Sequence, residues 1–181
     1  MNGRNFSLQP FSPISPPLDI TMSGSIIRRA HNLAIRYELS GQLGKLVIPA
    51  PAPRPARRHR LWQETCFEFF LGAKHSPLYW EFNLSPAGHW NVYRFAAYRQ
   101  GMQEEMAFTS LPLSLRLEPD SVRLALELDL DRIIPADQPL EVGIAAVIQL
   151  AGVGPTYWAL THGGPQPDFH RRHSFIVALS A

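Results

Sequence analysis

Residues 121–130 read SVRLALELDL. Val122, Leu124, Leu126, Leu128 and Leu130 alternate with Ser121, Arg123, Glu127 and Asp129, and Ala125 is neutral. An apolar residue at every second position places one face against a core and the other in water only when the chain is extended. The same period recurs in NLAIRYELSG (32–41), where Leu33, Ile35, Tyr37 and Leu39 oppose Ala34, Arg36 and Glu38. LEVGIAAVIQL (140–150) repeats it less cleanly, as a strand covered on both faces does. Shorter runs follow the rule: KLVIP, TCFEFFL, LYWEFNL, HWNVYRF, LSLRLE, TYWALT and SFIVAL. Most end in Gly, Pro, Ser or Asn turns, which gives roughly ten strands at turn-sized spacing. The expectation is an all-β antiparallel β-sandwich, jelly-roll or immunoglobulin-like, with little helix. YRQGMQEEM (98–106) is the best helical candidate, being polar and free of β-branched residues, and DRIIPAD (131–137) reads as a turn.

The 181 residues suit one domain with a proper core. With 45% hydrophobic and 18% charged residues the chain is globular rather than disordered. A net charge of +2 is too small to point to nucleic acid. One cysteine, Cys66, excludes an internal disulfide. Residues 1–24 are rich in proline and read as an extended lead-in, or as an edge segment over residues 6–20, with a single sandwich domain over 25–181. They hold no apolar run of signal-peptide length, and no segment approaches a membrane span, so a cytoplasmic protein is expected.

PAPAPRPARRHR (49–60) interrupts the strands, because its prolines allow neither continuous strand nor helix. Arg54, Arg57, Arg58, His59 and Arg60 make it basic. It reads as a solvated loop held extended by proline, or as a lip over an anionic or sugar ligand. In LWQETCFEFFL (61–71), Thr65, Phe67, Phe69 and Leu71 form the core face, leaving Cys66, Glu68 and Phe70 opposite. Glu68 is then exposed, or lies on a face that binds hydroxyls. In LYWEFNLSPAGHWNVYRF (78–95) a hairpin turns at SPAG. Trp80 packs in the core, and Tyr79, Glu81 and Asn83 point the other way. They sit beside either Asn91 and Tyr93 or Trp90 and Arg94. Carboxylate, amide, guanidinium and flat rings suit a sugar, whose apolar face stacks while its hydroxyls are held.

THGGPQPDFHRRH (161–173) gathers three histidines in a stretch broken by Gly and Pro. A zinc site would need His162, Asp168 and His170 to converge without thiolate partners beyond Cys66, so no metal is expected. The better reading is a shaped loop, with Asp168 bonded to local backbone N–H groups or to Arg171 or Arg172, and His162 able to reach a ligand from the strand end. No G-x-S-x-G, P-loop or G-x-G-x-x-G occurs, and Glu64 with Glu68 is weak as an acid/base pair, so no enzyme is expected.

The three motifs LWQETCFEFFL, YWEFNLSPAGHWNVYRF and THGGPQPDFHRRHSF, in that order, resemble DOMON-like proteins of the family 9 carbohydrate-binding module type. These occur as stand-alone bacterial proteins. The resemblance runs from about residue 25 to 179 and implies an antiparallel β-sandwich. It implies a sugar-binding face holding Trp62, Glu68, Glu81, Asn83 and Arg94. A second branch binds haem through Met and His axial ligands. Met102 and Met106 lie in a polar segment and match neither position, so no cofactor is expected, haem being the alternative. The expectation is a non-catalytic module with Trp62, Glu68, Glu81, Asn83, Arg94 and His162 near a small saccharide. A protein-interaction sandwich is the other reading; neither nucleic acid nor a membrane is an expected partner.

Overall fold

The alternation at 121–130 becomes a strand paired on both sides in the computed structural model, which describes residues 2–14 and 18–180. Its sheet runs β1 (Asn2–Ser7), β3 (Ile20–Arg29), β4 (Asn32–Gly41), β10 (Ser121–Asp129) and β9 (Leu113–Glu118). The facing sheet runs β2 (Gln9–Pro10), β12 (Gly154–Ala159), β11 (Leu140–Leu150), β5 (Cys66–Ala73), β6 (Tyr79–Leu84), β7 (Trp90–Phe95) and β8 (Gln103–Glu104). A last short strand, β13 (Val177–Leu179), pairs with the start of β11. All these strand pairs are antiparallel. The molecule is an all-β sandwich, as expected.

The core lies between the sheets. Leu33, Ile35, Tyr37 and Leu39 of β4 and Val122, Leu124, Leu126 and Leu128 of β10 meet Phe67, Phe69 and Leu71 of β5 and Trp80, Phe82 and Leu84 of β6. Each such side chain contributes about 1.5–3 kcal/mol on full burial. Phe69 stacks on Phe82 at 4.4 Å. The Tyr37 hydroxyl, buried in the core, donates to the Glu68 carbonyl at 2.8 Å, so its polar end is satisfied.

Residues 1–24 do not precede the sandwich; their described part belongs to it. β1 pairs with β3 over Asn2↔Arg28 to Ser7↔Ser23, and Gln9 and Pro10 pair with Ala159 and Trp158. Pro10 sits where proline is tolerated, on an edge strand. Ser15, Pro16 and Pro17 of that stretch, like Met1 and Ala181, lie outside the described residues. β3 is not announced by alternation, because Ser23, Gly24 and Ser25 interrupt its apolar period. A Cβ on Gly24 would meet the Arg36 carbonyl oxygen at 1.9 Å, so close strand approach demands glycine there.

The helix expected over 98–106 is absent, and no α-helix occurs among the described residues. The chain instead makes a tight turn, with Gln100 N–H donating to the Ala97 carbonyl at 2.9 Å and Ala96 N–H to the Gln100 carbonyl at 3.0 Å. Gln103 and Glu104 then extend the sheet beside Arg94 and Tyr93. A short polar segment has no apolar stripe to bury, and an isolated helix of that length is unstable.

The basic loop at 49–60 is tied down along the sheet end. Arg58 N–H donates to the Trp90 carbonyl at 2.9 Å, and Trp90 N–H donates to the Ala56 carbonyl at 3.2 Å. Arg57 lies 4.4 Å over the Trp90 ring and donates to Asn91 Oδ1 at 2.7 Å. Arg57 is therefore architectural, whereas Arg54, Arg58 and Arg60 are exposed.

Candidate functional site

Period 2 puts Cys66, Glu68 and Phe70 of β5 on the outer face of the larger sheet, with Tyr79, Glu81 and Asn83 of β6 beside them. The register then adds Asn91, Tyr93 and Phe95 of β7, opposite Asn83, Glu81 and Tyr79. Of the two arrangements open from the sequence, the hairpin adopts the one that joins Asn91 and Tyr93 to this face. An outer face normally meets water. Here the chain after β12 folds back over it, and Phe70, Tyr79, Tyr93, Phe95 and Phe175 form a second small core with Trp62 and Phe169.

Arg172 fastens that covering loop. Its guanidinium donates to Glu141 Oε2 at 2.9 and 3.0 Å, to the Ala73 carbonyl at 2.7 Å and to the Ser76 carbonyl at 3.1 Å. Gly72 lies directly beneath it: a Cβ there would fall 2.2 Å from Arg172 Cζ. Asp168 braces the same loop from within. It accepts from Tyr98 Oη at 2.5 Å, Arg99 Nη2 at 2.9 Å, Arg171 Nε at 3.1 Å and the His170 backbone N–H at 3.2 Å. Burial pushes the Asp168 carboxyl up, but these donors outweigh it and bring the group down to about 2.

The loop leaves one opening, a cleft of about 350 Å³. That is at the small end of the roughly 300–1,000 Å³ of ligand sites. Trp62, Phe95, Tyr157 and Phe169 contribute rings to its lining, Val147 and Met102 apolar surface, and Arg99, Asp168 and His170 polar groups. Two carboxylates, Glu68 and Glu81, complete the lining from the sheet.

Those carboxylates are buried, at 3% and 4% exposure. Glu81 Oε1 accepts from Asn83 Nδ2 at 3.0 Å, whereas Glu68 Oε1 has no hydrogen-bond partner among the described residues. Burial raises the Glu68 carboxyl well above the carboxylate range, and the nearby Glu81 charge raises it further. Burial also raises Glu81, and Asn83 and Arg99 pull it back only to about 7. Burial and mutual repulsion thus push both carboxyls toward the protonated form, which favours one proton shared between them.

His170 closes the cleft on the loop side. Its Nδ1 lies 2.9 Å from the Tyr79 hydroxyl, and that hydroxyl accepts from Arg99 N–H at 3.2 Å. The hydroxyl hydrogen is then free to point at Nδ1, which leaves the ring hydrogen on Nε2, 3.9 Å from Glu81 Oε2. Burial, helped by the Arg99 charge, lowers His170 to about 4, so the ring is neutral at pH 7.

Of the residues singled out from the sequence, Trp62, Glu68 and Glu81 line the cleft, and Asn83 lies directly behind them, holding Glu81. Arg94 is not with them. It follows Val92 on the opposite side of β7 and is exposed near the sheet edge, paired in register with Trp80 and Gln103. His162 is also elsewhere: Nε2 donates to the Gln9 carbonyl at 2.9 Å, and the ring packs edge-on against Phe11. The three histidines of the 161–173 stretch have separate surroundings: His162 bonds to the Gln9 carbonyl, His170 to the Tyr79 hydroxyl, and His173 lies against Gly163. Arg99, Tyr157, Phe169 and His170 enter the cleft without having been singled out for it. Arg99 does so from a left-handed backbone conformation, φ 52°.

The architecture is that of carbohydrate-binding-module sandwiches. A Bacteroides uniformis protein proposed to bind carbohydrate superposes with a TM-score of 0.70 at 16% identity, over 98% of this chain and 85% of that one. A family 9 carbohydrate-binding module from Caldicellulosiruptor kristjanssonii, solved with cellotriose, superposes with a TM-score of 0.50 at 12% identity, over 96% and 80% of the two chains. No protein-family model and no curated protein matches the sequence. At these identities the likeness is one of fold.

Proposed function

We propose that the protein is a non-catalytic saccharide-binding module that takes a small sugar, or one end of a chain, into the cleft beneath the 161–176 loop. The observation that carries this is the pairing of ring walls with buried acceptors at one opening. Trp62, Tyr157 and Phe169 offer flat apolar surface, and Glu68 and Glu81 offer carboxyl oxygens that bind hydroxyl hydrogens. The carbohydrate-binding modules that share the fold support the same reading. A volume of about 350 Å³ suits one sugar ring better than a polymer segment.

Haem, the other ligand that the resemblance implies, fits these residues poorly. Met102 and His170 do line one cleft. Yet His170 Nδ1 is engaged by Tyr79 and Nε2 faces Glu81, so neither ring nitrogen is offered to an iron. The two buried carboxylates would also repel haem propionates.

The test is a titration of the purified protein with glucose and cellotriose by calorimetry, with a thermal-shift screen of mono- and oligosaccharides alongside. A ligand of the native state raises the melting temperature. Trp62→Ala is expected to weaken binding about tenfold or more, since loss of a ring wall is worth at least about 1.4 kcal/mol. Absence of any saturable response across the sugars, or a Soret band in the purified protein, overturns the reading.

A further inference from the structure

We propose that the group which docks on Glu68 and Glu81 is a protonated amine, so that the saccharide taken by this cleft is an amino sugar. The proposal rests on the saccharide reading above. It begins from an oddity of the site: Glu68 is almost fully buried, it lines the cleft, and its Oε1 accepts no hydrogen bond. A buried acceptor without a donor costs about 1–3 kcal/mol, more for an ionised group, and such a defect in a native fold calls for a partner.

The surroundings decide what partner. On β5 the nearest titratable group is the Cys66 thiol, which burial and Glu68 hold protonated. On β6 stand Tyr79 and Asn83, and on β7 Asn91 and Tyr93, none of them cationic. β11 places Ala145 and Val147 beside Glu68 and Cys66, and its one charged residue further along this face, Glu141, is held by Arg172. The 96–101 turn brings Arg99, and the covering loop brings Asp168 and His170. Arg99 is the sole cation among these last three. Its guanidinium is committed to Asp168 at 2.9 Å. His170 is neutral, and its ring nitrogen stays 3.9 Å from Glu81. The protein thus sets two carboxylates side by side, diagonal across β5 and β6, and gives neither an ion pair with a cation: Arg99, bonded to Asp168, acts on Glu81 only from a distance.

A neutral hydroxyl can donate to the carboxyl that Glu68 turns to the cleft, but it leaves two like charges facing each other or one carboxyl protonated. An ammonium group donates as many as three hydrogens and brings the missing charge. On its arrival the proton shared by the pair leaves to solvent, so the carboxylates and the ammonium together carry the same single negative charge that the pair carried before binding. The ring lining agrees with this, because Trp62, Tyr157 and Phe169 can hold a cation against their faces as readily as a sugar's C–H surface.

The experiment is calorimetric titration of the intact protein with glucosamine, glucose, N-acetylglucosamine and ethanolamine. It is run at one pH near 7.5 in two buffers of different ionisation enthalpy. Glucosamine is expected to bind about tenfold or more tightly than glucose, in line with a charge-assisted bond replacing a neutral one. N-acetylation, which removes the charge, should abolish the gain. The heat of glucosamine binding should differ between buffers, reporting proton release. Glu68→Gln, isosteric with the native residue, should bring glucosamine back to the level of glucose. Glucose binding as tightly as glucosamine overturns the inference and leaves the saccharide reading standing. Ethanolamine binding as tightly as glucosamine overturns the sugar reading on which the inference rests. No binding by any of the four overturns both, and since this ligand series uses the unaltered protein, neither result depends on a variant folding.

Discussion

Arg28 and Glu68 are both ionisable side chains buried to about the same degree, at 2% and 3% exposure, yet their surroundings differ in kind. Every side-chain nitrogen of Arg28 donates to a main-chain carbonyl: Nε to Ala30 at 2.9 Å, Nη1 to Gln138 at 2.5 Å, and Nη2 to Pro135 at 3.1 Å and Ala136 at 3.0 Å. It is the internal pin of the 135–138 turn. Glu68 has an oxygen that accepts nothing, and its nearest charged neighbour on the sheet is another carboxylate. A fully satisfied buried charge is architecture. A buried carboxyl left without a donor beside an opening is what the proposed ligand would complete.

The largest effect should come from the satisfied member. Arg28→Met fills similar volume but strips donors from four carbonyls beneath the turn. We expect a loss of about 4 kcal/mol, read as a lower denaturant midpoint with an unchanged slope. A loss under about 1 kcal/mol would show that water replaces the guanidinium, and the contrast with Glu68 would collapse.

The second effect concerns pH and has two opposed parts. Glu81 is raised from 4.5 to about 7. Between those values the folded protein holds a proton that the unfolded chain has released, so stability falls as pH rises. His170 is lowered from 6.5 to about 4. Between those values the unfolded chain holds the extra proton, so stability rises with pH. Each swing is on the order of 3 kcal/mol, and the two offset across their shared window from 4.5 to 6.5. The Glu68 carboxyl, raised as well, is not offset, so the unaltered protein should lose stability as pH rises there. Glu81→Gln should flatten that fall by leaving Glu68 and His170 opposed, and His170→Asn should steepen it. Urea unfolding at half-unit pH steps checks this, and parallel profiles for all three proteins would separate the histidine from the carboxylate pair.

The comparison also shows which features were legible in the sequence. Strands with a strict period, such as 32–41 and 121–130, announced both their type and their buried face. Glu68 and Glu81 could be placed on one face because parity along β5 and β6 leaves no other choice. Their burial could not be read, because it is imposed by a loop some 90 residues further on, and nothing local forecasts that a polar face will be roofed. The one local trace is glycine. Gly72 and Gly143 stand in strand interiors where Arg172 and Phe175 press down, with added Cβ atoms falling 2.2 and 2.8 Å from them. Mid-strand glycines of this kind record the approach of something from above. Arg99 and Met102 were hidden differently, in a polar segment that resembled a helix only because it lacked β-branched residues. His162 was misplaced through its neighbours, since its partner Gln9 lies in a strand that the prolines around it disguised.

The smallest expected effect tests the face assignment itself. Arg94 and Glu81 lie on adjacent strands, and register sets Arg94 opposite Trp80 rather than opposite Glu81. One residue of parity thus separates the outer face, with its cleft, from the side that faces the core. Arg94→Ala should leave saccharide affinity unchanged and stability within about 0.5 kcal/mol, as for other exposed positions. His162→Ala should likewise leave affinity unchanged, because the ring's bond goes to the Gln9 carbonyl and not into the cleft. Calorimetry on both variants beside Trp62→Ala makes the comparison internal. If Arg94→Ala weakened binding as Trp62→Ala does, the ligand would have to sit at the sheet edge, and the buried carboxylates would need another explanation.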